Sequence, residues 1–146
     1  MEKRKLIGSI LTKKYLTELT FSIVGAAIEV HRSLGPGLLE SVYHKCMKKE
    51  LDIRRLKYQS ELLVDVQYKG LSLDTELRCD LLVEDAIVVE LKAVDMLAPV
   101  HEAQVLTYMK LLEKPKGILM NFTCANMFKD GQRTFVNELF RILPEE

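Results

Sequence analysis

The sequence predicts a mixed α/β chain, with one mixed sheet flanked by helices, in the order helix, three-stranded meander, helix, strand. Three observations carry that expectation. Apolar residues recur at helical spacing before residue 34 and again after Pro99. Between them, Arg78 to Lys92 reads as two strands rich in Val, Ile and Leu, joined by the tight acidic turn Glu84-Asp85-Ala86. The later helix then leads into another apolar strand, a crossover that suits parallel neighbours.

Residues 1 to 15 form a basic leader, with Lys3, Arg4, Lys5, Lys13 and Lys14 against Glu2 alone. The expectation is a solvated leader ahead of one domain over 16–146. Thr17 or Thr20 can cap a helix running to about Leu34, with Leu16, Leu19, Ile23, Ala27 and Val30 on its stripe. Glu29 and His31 are the polar exceptions near its end. Gly35-Pro36-Gly37 stops it. A second helix is expected from Leu38 to about Arg54, with Leu39, Val42, Tyr43, Cys46 and Leu51 inward. Lys45, Lys48, Lys49, Arg54 and Arg55 give it a basic outer side, the best place in the chain for phosphates. Glu40 sits on its first turn, one turn before Tyr43, where it can point at the hairpin.

Leu62 to Tyr68 reads as a strand, Lys69-Gly70 as a turn, and Leu71 to Leu77 as a second strand running on into Asp80. Ala93 to Ala98 reads as loop. Pro99 opens a helix to about Leu112, with Val100, Ala103, Leu106, Thr107 and Leu111 as its apolar face. Gln104 and Tyr108 share a face at four-residue spacing. His101-Glu102 begins like a zinc-protease HExxH, but residue 105 is Val, so that motif is absent. Ile118 to Phe122 is a short strand, 126–131 a loop, and 132–142 reads as strand or helix, with Phe135, Val136, Leu139 and Phe140 favouring helix.

The hairpin holds the charges that stand out. With a three-residue turn, Val83 pairs with Ile87, Leu82 faces Val88 and Asp80 faces Glu90. Alternation puts Glu90 and Lys92 on one face. Asp80, Glu90 and Lys92 therefore converge at one end of the hairpin. Two adjacent carboxylates repel, and burying them is costly unless a cation joins them. A hard divalent ion such as Mg²⁺ takes oxygen ligands of this kind. The plainer reading is a surface ion-pair cluster. Against it, Glu90-Leu91-Lys92 is the one acid-x-Lys triplet in the chain and ends an apolar strand.

The formal net charge of +0 argues against a chain coated in positive charge, while leaving room for a local basic patch. No apolar run reaches membrane-spanning length, so no membrane association is expected. Cys46, Cys79 and Cys124 are odd in number, lack CxxC spacing and lie in apolar segments. That pattern fits free thiols in the cytoplasm and no structural zinc.

The element order, with Asp80 and Glu90-Leu91-Lys92 on the meander, resembles the PD-(D/E)xK nuclease superfamily. Gly37-Leu38-Leu39-Glu40-Ser41-Val42-Tyr43 fits the motif that names the GxxExxY family within it. Ala27-Ile28-Glu29-Val30-His31, Asp80 to Val83, Val89 to Val94, His101 to Gln104 and Asn121-Phe122 are similar too, so the resemblance covers roughly residues 18 to 142. It implies a restriction-endonuclease-like αβββαβ core and a metal-dependent nuclease acting on nucleic acid, expected to be DNA. Asp80 and Glu90, with the Leu91 carbonyl and Glu40, would hold Mg²⁺ or Mn²⁺. Lys92 would serve the attacking water, and Gln104 would lie beside it. Tyr43 and Tyr108 would support the site by packing and hydrogen bonding, and His31 would either support it or be a satisfied polar group at the helix end. The superfamily's usual proline is replaced by Cys79. Two other readings stand beside this one. One is structure-specific cleavage, as in the Holliday-junction resolvases, which work as dimers and make a homodimer an expectation here. The other is a retired nuclease fold serving as a binding or assembly module.

Overall fold

The computed structural model describes residues 11–73 and 76–146. Residues 1–10 of the expected basic leader lie outside that range. Thr12 caps the first helix, α1 (Lys13–Leu34), by accepting the Tyr15 N–H at 3.0 Å. Thr17 and Thr20, expected as caps, lie inside the helix and donate to the carbonyls of Lys13 and Leu16. The helix begins one turn before its apolar stripe, because Leu16, fully buried, must already be helical to face the core.

Gly35 and Gly37 have φ of 71° and 105°, which side chains resist, and they turn the chain into α2 (Glu40–Ile53). The buried face of α2 is Tyr43, His44, Met47 and Leu51. That differs from the expected stripe: Leu39 is 74% exposed and Val42 is exposed, while His44 is inside.

Five strands form the main sheet in the order β1 (Tyr58–Leu63), β4 (Arg78–Val83), β5 (Ile87–Lys92), β6 (Lys116–Asn121) and β7 (Gln132–Val136). Only β5 and β6 run parallel, as the crossover implied. The meander needs correcting on its near side. The strand expected over Leu62 to Tyr68 is two strands, since β1 starts at Tyr58 and the chain leaves the sheet after Leu63. Here β2 (Val66–Tyr68) pairs only with β3 (Leu71–Leu73) in a separate hairpin. Val64 stays buried and donates its N–H to Leu77 O at 2.8 Å, which returns the chain to β4 beside β1.

Two apolar layers cover the sheet. Leu81, Val83, Ile87, Val89, Leu91, Ile118 and Met120 pack with α1 and α2. Leu82, Val88 and Leu119 pack with α3 (Pro99–Leu112), through Val105, Tyr108 and Met109. The face expected inward on α3 instead looks outward: Val100 is 66% exposed and Leu106 44%. Gly117 on β6 explains the rotation. A Cβ there would meet Val105 Cγ1 at 2.6 Å and Met109 Sδ at 2.7 Å, so those two side chains fill the hollow that the missing Cβ leaves.

Over 132–142, where the sequence leaves strand and helix both open and favours helix, the chain forms β7 followed by the short α4 (Glu138–Arg141). Edge pairing with β6, from Lys116↔Val136 to Met120↔Gln132, overrides the local helical pattern. Within the expected loop 126–131, Met127–Gly131 makes one wide helical turn. No helix of the described residues is long and apolar enough to cross a membrane.

Candidate active site

The β4–β5 ladder runs Val83↔Ile87, Leu82↔Val88, Leu81↔Val89 and then stops. At the next step the side chains replace the ladder. Glu90 Oε2 accepts the Asp80 N–H at 2.7 Å, and Asp80 Oδ2 accepts the Leu91 N–H at 2.8 Å. Each carboxylate thus fixes itself by one oxygen on backbone of the opposite strand. The other oxygen of each has no partner among the described residues, yet neither is sealed in.

The edge strand bends at the same level. Ser60↔Leu81 and Leu62↔Cys79 place Glu61, with φ 51°, opposite Asp80. Cys79 packs toward α3 with Leu82, whereas Leu81 and Val83 pack toward α1 and α2. Strict alternation would put Cys79 with Leu81, so it slips around Asp80, the kind of local break that re-aims a side chain.

Glu90 is 2% exposed, and its carboxyl is pushed up to about 8. Burial is the main cause and the Asp80 charge the next; the Asp80 N–H and Lys92 pull the other way. Asp80 is also raised by burial, against the Leu91 N–H, His44 and Lys92. Glu40 stands at the exposed mouth on the first turn of α2; partial desolvation and then Asp80 raise it, while Lys92 and His44 oppose. Three carboxylates therefore sense one another and are under-neutralised. Cys79 beside them is held as an inert thiol at about 12, by burial first and then by Glu90.

Lys92 ends β5, half-buried, with no ion pair to it among the described residues. Asn121 lies opposite it in the parallel ladder and clamps the chain just beyond. Its Oδ1 accepts the Val94 N–H at 3.0 Å and its Nδ2 donates to Val94 O at 2.9 Å. Phe122 donates its N–H to Lys92 O at 2.9 Å and stacks on Tyr43, with centroids 4.5 Å apart. The Tyr43 hydroxyl donates to Gly35 O at 2.5 Å and accepts the Leu38 N–H at 3.2 Å. This run of contacts ties the loop before Glu40 to the strand end that carries Lys92.

Gln104 lines the groove beside Lys92, and its Nε2 donates to the Tyr108 hydroxyl at 3.1 Å. Tyr108 is raised by burial and then by Glu90, which puts it behind the carboxylates. Of the three supporting residues, Tyr108 lies beside Gln104, and Tyr43 connects to the cluster only through Phe122 and the loop before Glu40. His31 is engaged elsewhere: its Nε2 bonds Cys124 O at 2.9 Å, and it is not among the charges acting on the carboxylates.

Sequence reasoning passed over His44, which is nearly buried, bonds Ser60 Oγ at 3.1 Å through Nε2, and acts on both Asp80 and Glu40. The signal was the Glu40/His44 spacing of four on one helix face. Sequence reasoning names Asn121 only in the Asn121-Phe122 match and gives it no role, because its role depends on a parallel pairing that brings residues 29 apart together.

Among the described residues, no three Asp, Glu, His or Cys side chains are gathered so that together they could hold a metal ion. The donor set still fits a hard divalent cation. Mg²⁺ is commonly held by one or two carboxylates, with waters and substrate phosphate completing its shell. Two carboxylates pinned by one oxygen each, with the other oxygen of each unpartnered among the described residues, match that need.

A comparison with curated proteins finds no match, and neither does one with solved structures. The family model of the PD-(D/E)XK nuclease superfamily matches residues 17–134, which span β4, β5 and the helices on both sides of the sheet. With most of the chain inside that match, the protein belongs to the PD-(D/E)XK nuclease superfamily.

Proposed function

We propose that the protein is a divalent-metal-dependent nuclease that hydrolyses phosphodiester bonds, with Asp80, Glu90 and Lys92 as its central residues. The observation that carries this reading is the pinned, under-neutralised Asp80–Glu90 pair, with Lys92 at the end of the β5 strand and in no ion pair among the described residues. Asp80 and Glu90 would hold Mg²⁺ or Mn²⁺, with Leu91 supplying its carbonyl and Glu40 a further oxygen. The ion would supply Lewis-acid polarisation of the phosphate and a more acidic water. Lys92 holds a compact positive charge where the attacking water and the developing phosphorane charge lie. Gln104 orients polar groups beside it. Asn121 and Tyr43 are positioning residues, fixing the strand end and the loop before Glu40. The heptad Gly37 to Tyr43 supports placing the chain in the GxxExxY branch, since Glu40 and Tyr43 take the two parts that motif separates.

DNA is the proposed substrate. The test is incubation of the intact chain with duplex, single-stranded and branched DNA and with RNA, in Mn²⁺ and in chelator. The expected result is cleavage in Mn²⁺ alone, abolished by Asp80→Asn. Absence of cleavage on every substrate, or cleavage that survives chelation, would overturn the reading.

A further inference from the structure

The groove of about 480 Å³ beside Lys92 is sized for a small molecule or a single nucleotide. Leu77, Val100 and Ala103 wall it, and all three are exposed, Val100 most of all at 66%. Among the described residues that line it, Lys92 is the one full charge. A duplex docks through rows of phosphates and needs rows of cations. This groove offers one cation at the catalytic end and an apolar wall running away from it.

Two polar edges stand in that wall, both fixed before any ligand arrives. His101 Nδ1 accepts the Ala98 N–H at 2.9 Å, closing the start of α3. A ring nitrogen that accepts carries no proton, so the neutral imidazole carries its hydrogen on Nε2, which has no partner among the described residues. Gln104 spends one N–H on Tyr108 and keeps its carbonyl oxygen and second N–H. A donor from His101 and a donor–acceptor pair from Gln104, set in an apolar groove, complement the edge and faces of a nucleobase.

We propose that this groove receives an unpaired nucleobase next to the scissile phosphate, so that the site takes single-stranded or locally unpaired nucleic acid and not intact duplex. The inference rests on the nuclease reading above and narrows its substrate class. A paired base keeps its edge in the helix and its faces in the stack, and cannot enter without being extruded.

The experiment measures binding by fluorescence anisotropy on the full chain carrying Asp80→Asn, which removes cleavage. The probes are a short labelled DNA single strand, the same strand in blunt duplex, and the same strand with abasic residues. The single strand is expected to bind about 10-fold more tightly than the duplex, and the abasic strand to lose about that factor, the scale of lost base contacts. Val100→Asp and Ala103→Leu, both at exposed positions, should cost the single strand a similar factor and leave duplex binding unchanged. Equal binding of strand and duplex, or no loss with the abasic strand, overturns the groove assignment and leaves the nuclease reading standing. Binding of none of the probes overturns both. The abasic comparison needs neither groove variant, so a variant that failed to fold would not spare the proposal.

Discussion

At Glu90 a carboxyl that ordinarily titrates near 4.5 is moved to about 8, by burial and then by the neighbouring Asp80. Between those values the metal-free folded protein holds a proton that the unfolded chain has released. Its contribution to stability is complete below about pH 4.5 and is lost as pH rises through about 8. Chelated protein should therefore melt lower at about pH 9 than at about pH 6. Glu90→Gln, which keeps an acceptor for the Asp80 N–H, should flatten that difference, as melting curves across pH would record. Metal affinity should run the opposite way and rise with pH, because ligands must lose their protons to bind. Lys92 invites a different test. Were it a simple ion-pair partner, arginine would serve. As a compact charge beside the attacking water, it should not be replaceable by a planar fork. Lys92→Arg and Lys92→Ala should each lower the cleavage rate by about 10²-fold or more while Mn²⁺ binding survives. Near-normal cleavage by Lys92→Arg would remove the catalytic role.

The hairpin is the element most legible in the sequence. Its turn and register follow from chain alternation, because the apolar runs Leu81 to Val83 and Ile87 to Val89 face each other across a three-residue turn. The crossover through α3 to a parallel β6 was also legible, since a helix opened by Pro99 and followed by the apolar run at 118 suits a parallel neighbour. Elsewhere the decisive partner was distant. The β1 strand starts at Tyr58 because β4 is there to pair with it, and β7 is a strand because β6 offers an open edge. The face of α3 was misread because Val100, Ala103 and Leu106 are as apolar as the residues that pack. The choice between the faces is made by Gly117, twelve residues from Val105. Gly117→Ala tests that account. Its methyl would collide with Val105 and Met109, so the variant should lose about 1–3 kcal/mol by denaturant titration, the cost of overpacking a filled core. A neutral Gly117→Ala would mean that α3 is free to shift away from the sheet.

Across the whole molecule, the fold gathers at one end of the sheet what the sequence scatters: Glu40 from α2, Asp80 from β4, Glu90 and Lys92 from β5, Gln104 from α3. Asp80, Glu90 and Lys92 could be grouped from strand arithmetic. His44 offered only its spacing of four from Glu40 and Asn121 no local signal, because each meets its neighbours only after α2 and β6 have docked. Net charge was a poor guide at this scale, since +0 over the chain says nothing of three mutually repelling carboxylates in one corner. That corner makes the central claim measurable without a substrate. If the Asp80–Glu90 pair awaits a divalent ion, Mn²⁺ should raise the melting temperature in proportion to its binding. Asp80→Asn keeps an acceptor for the Leu91 N–H but removes a ligand charge. Its chelated form should be as stable as the parent or more so, and its melting temperature should not respond to Mn²⁺. An Asp80→Asn protein that gains as much from Mn²⁺ as the parent would contradict the account.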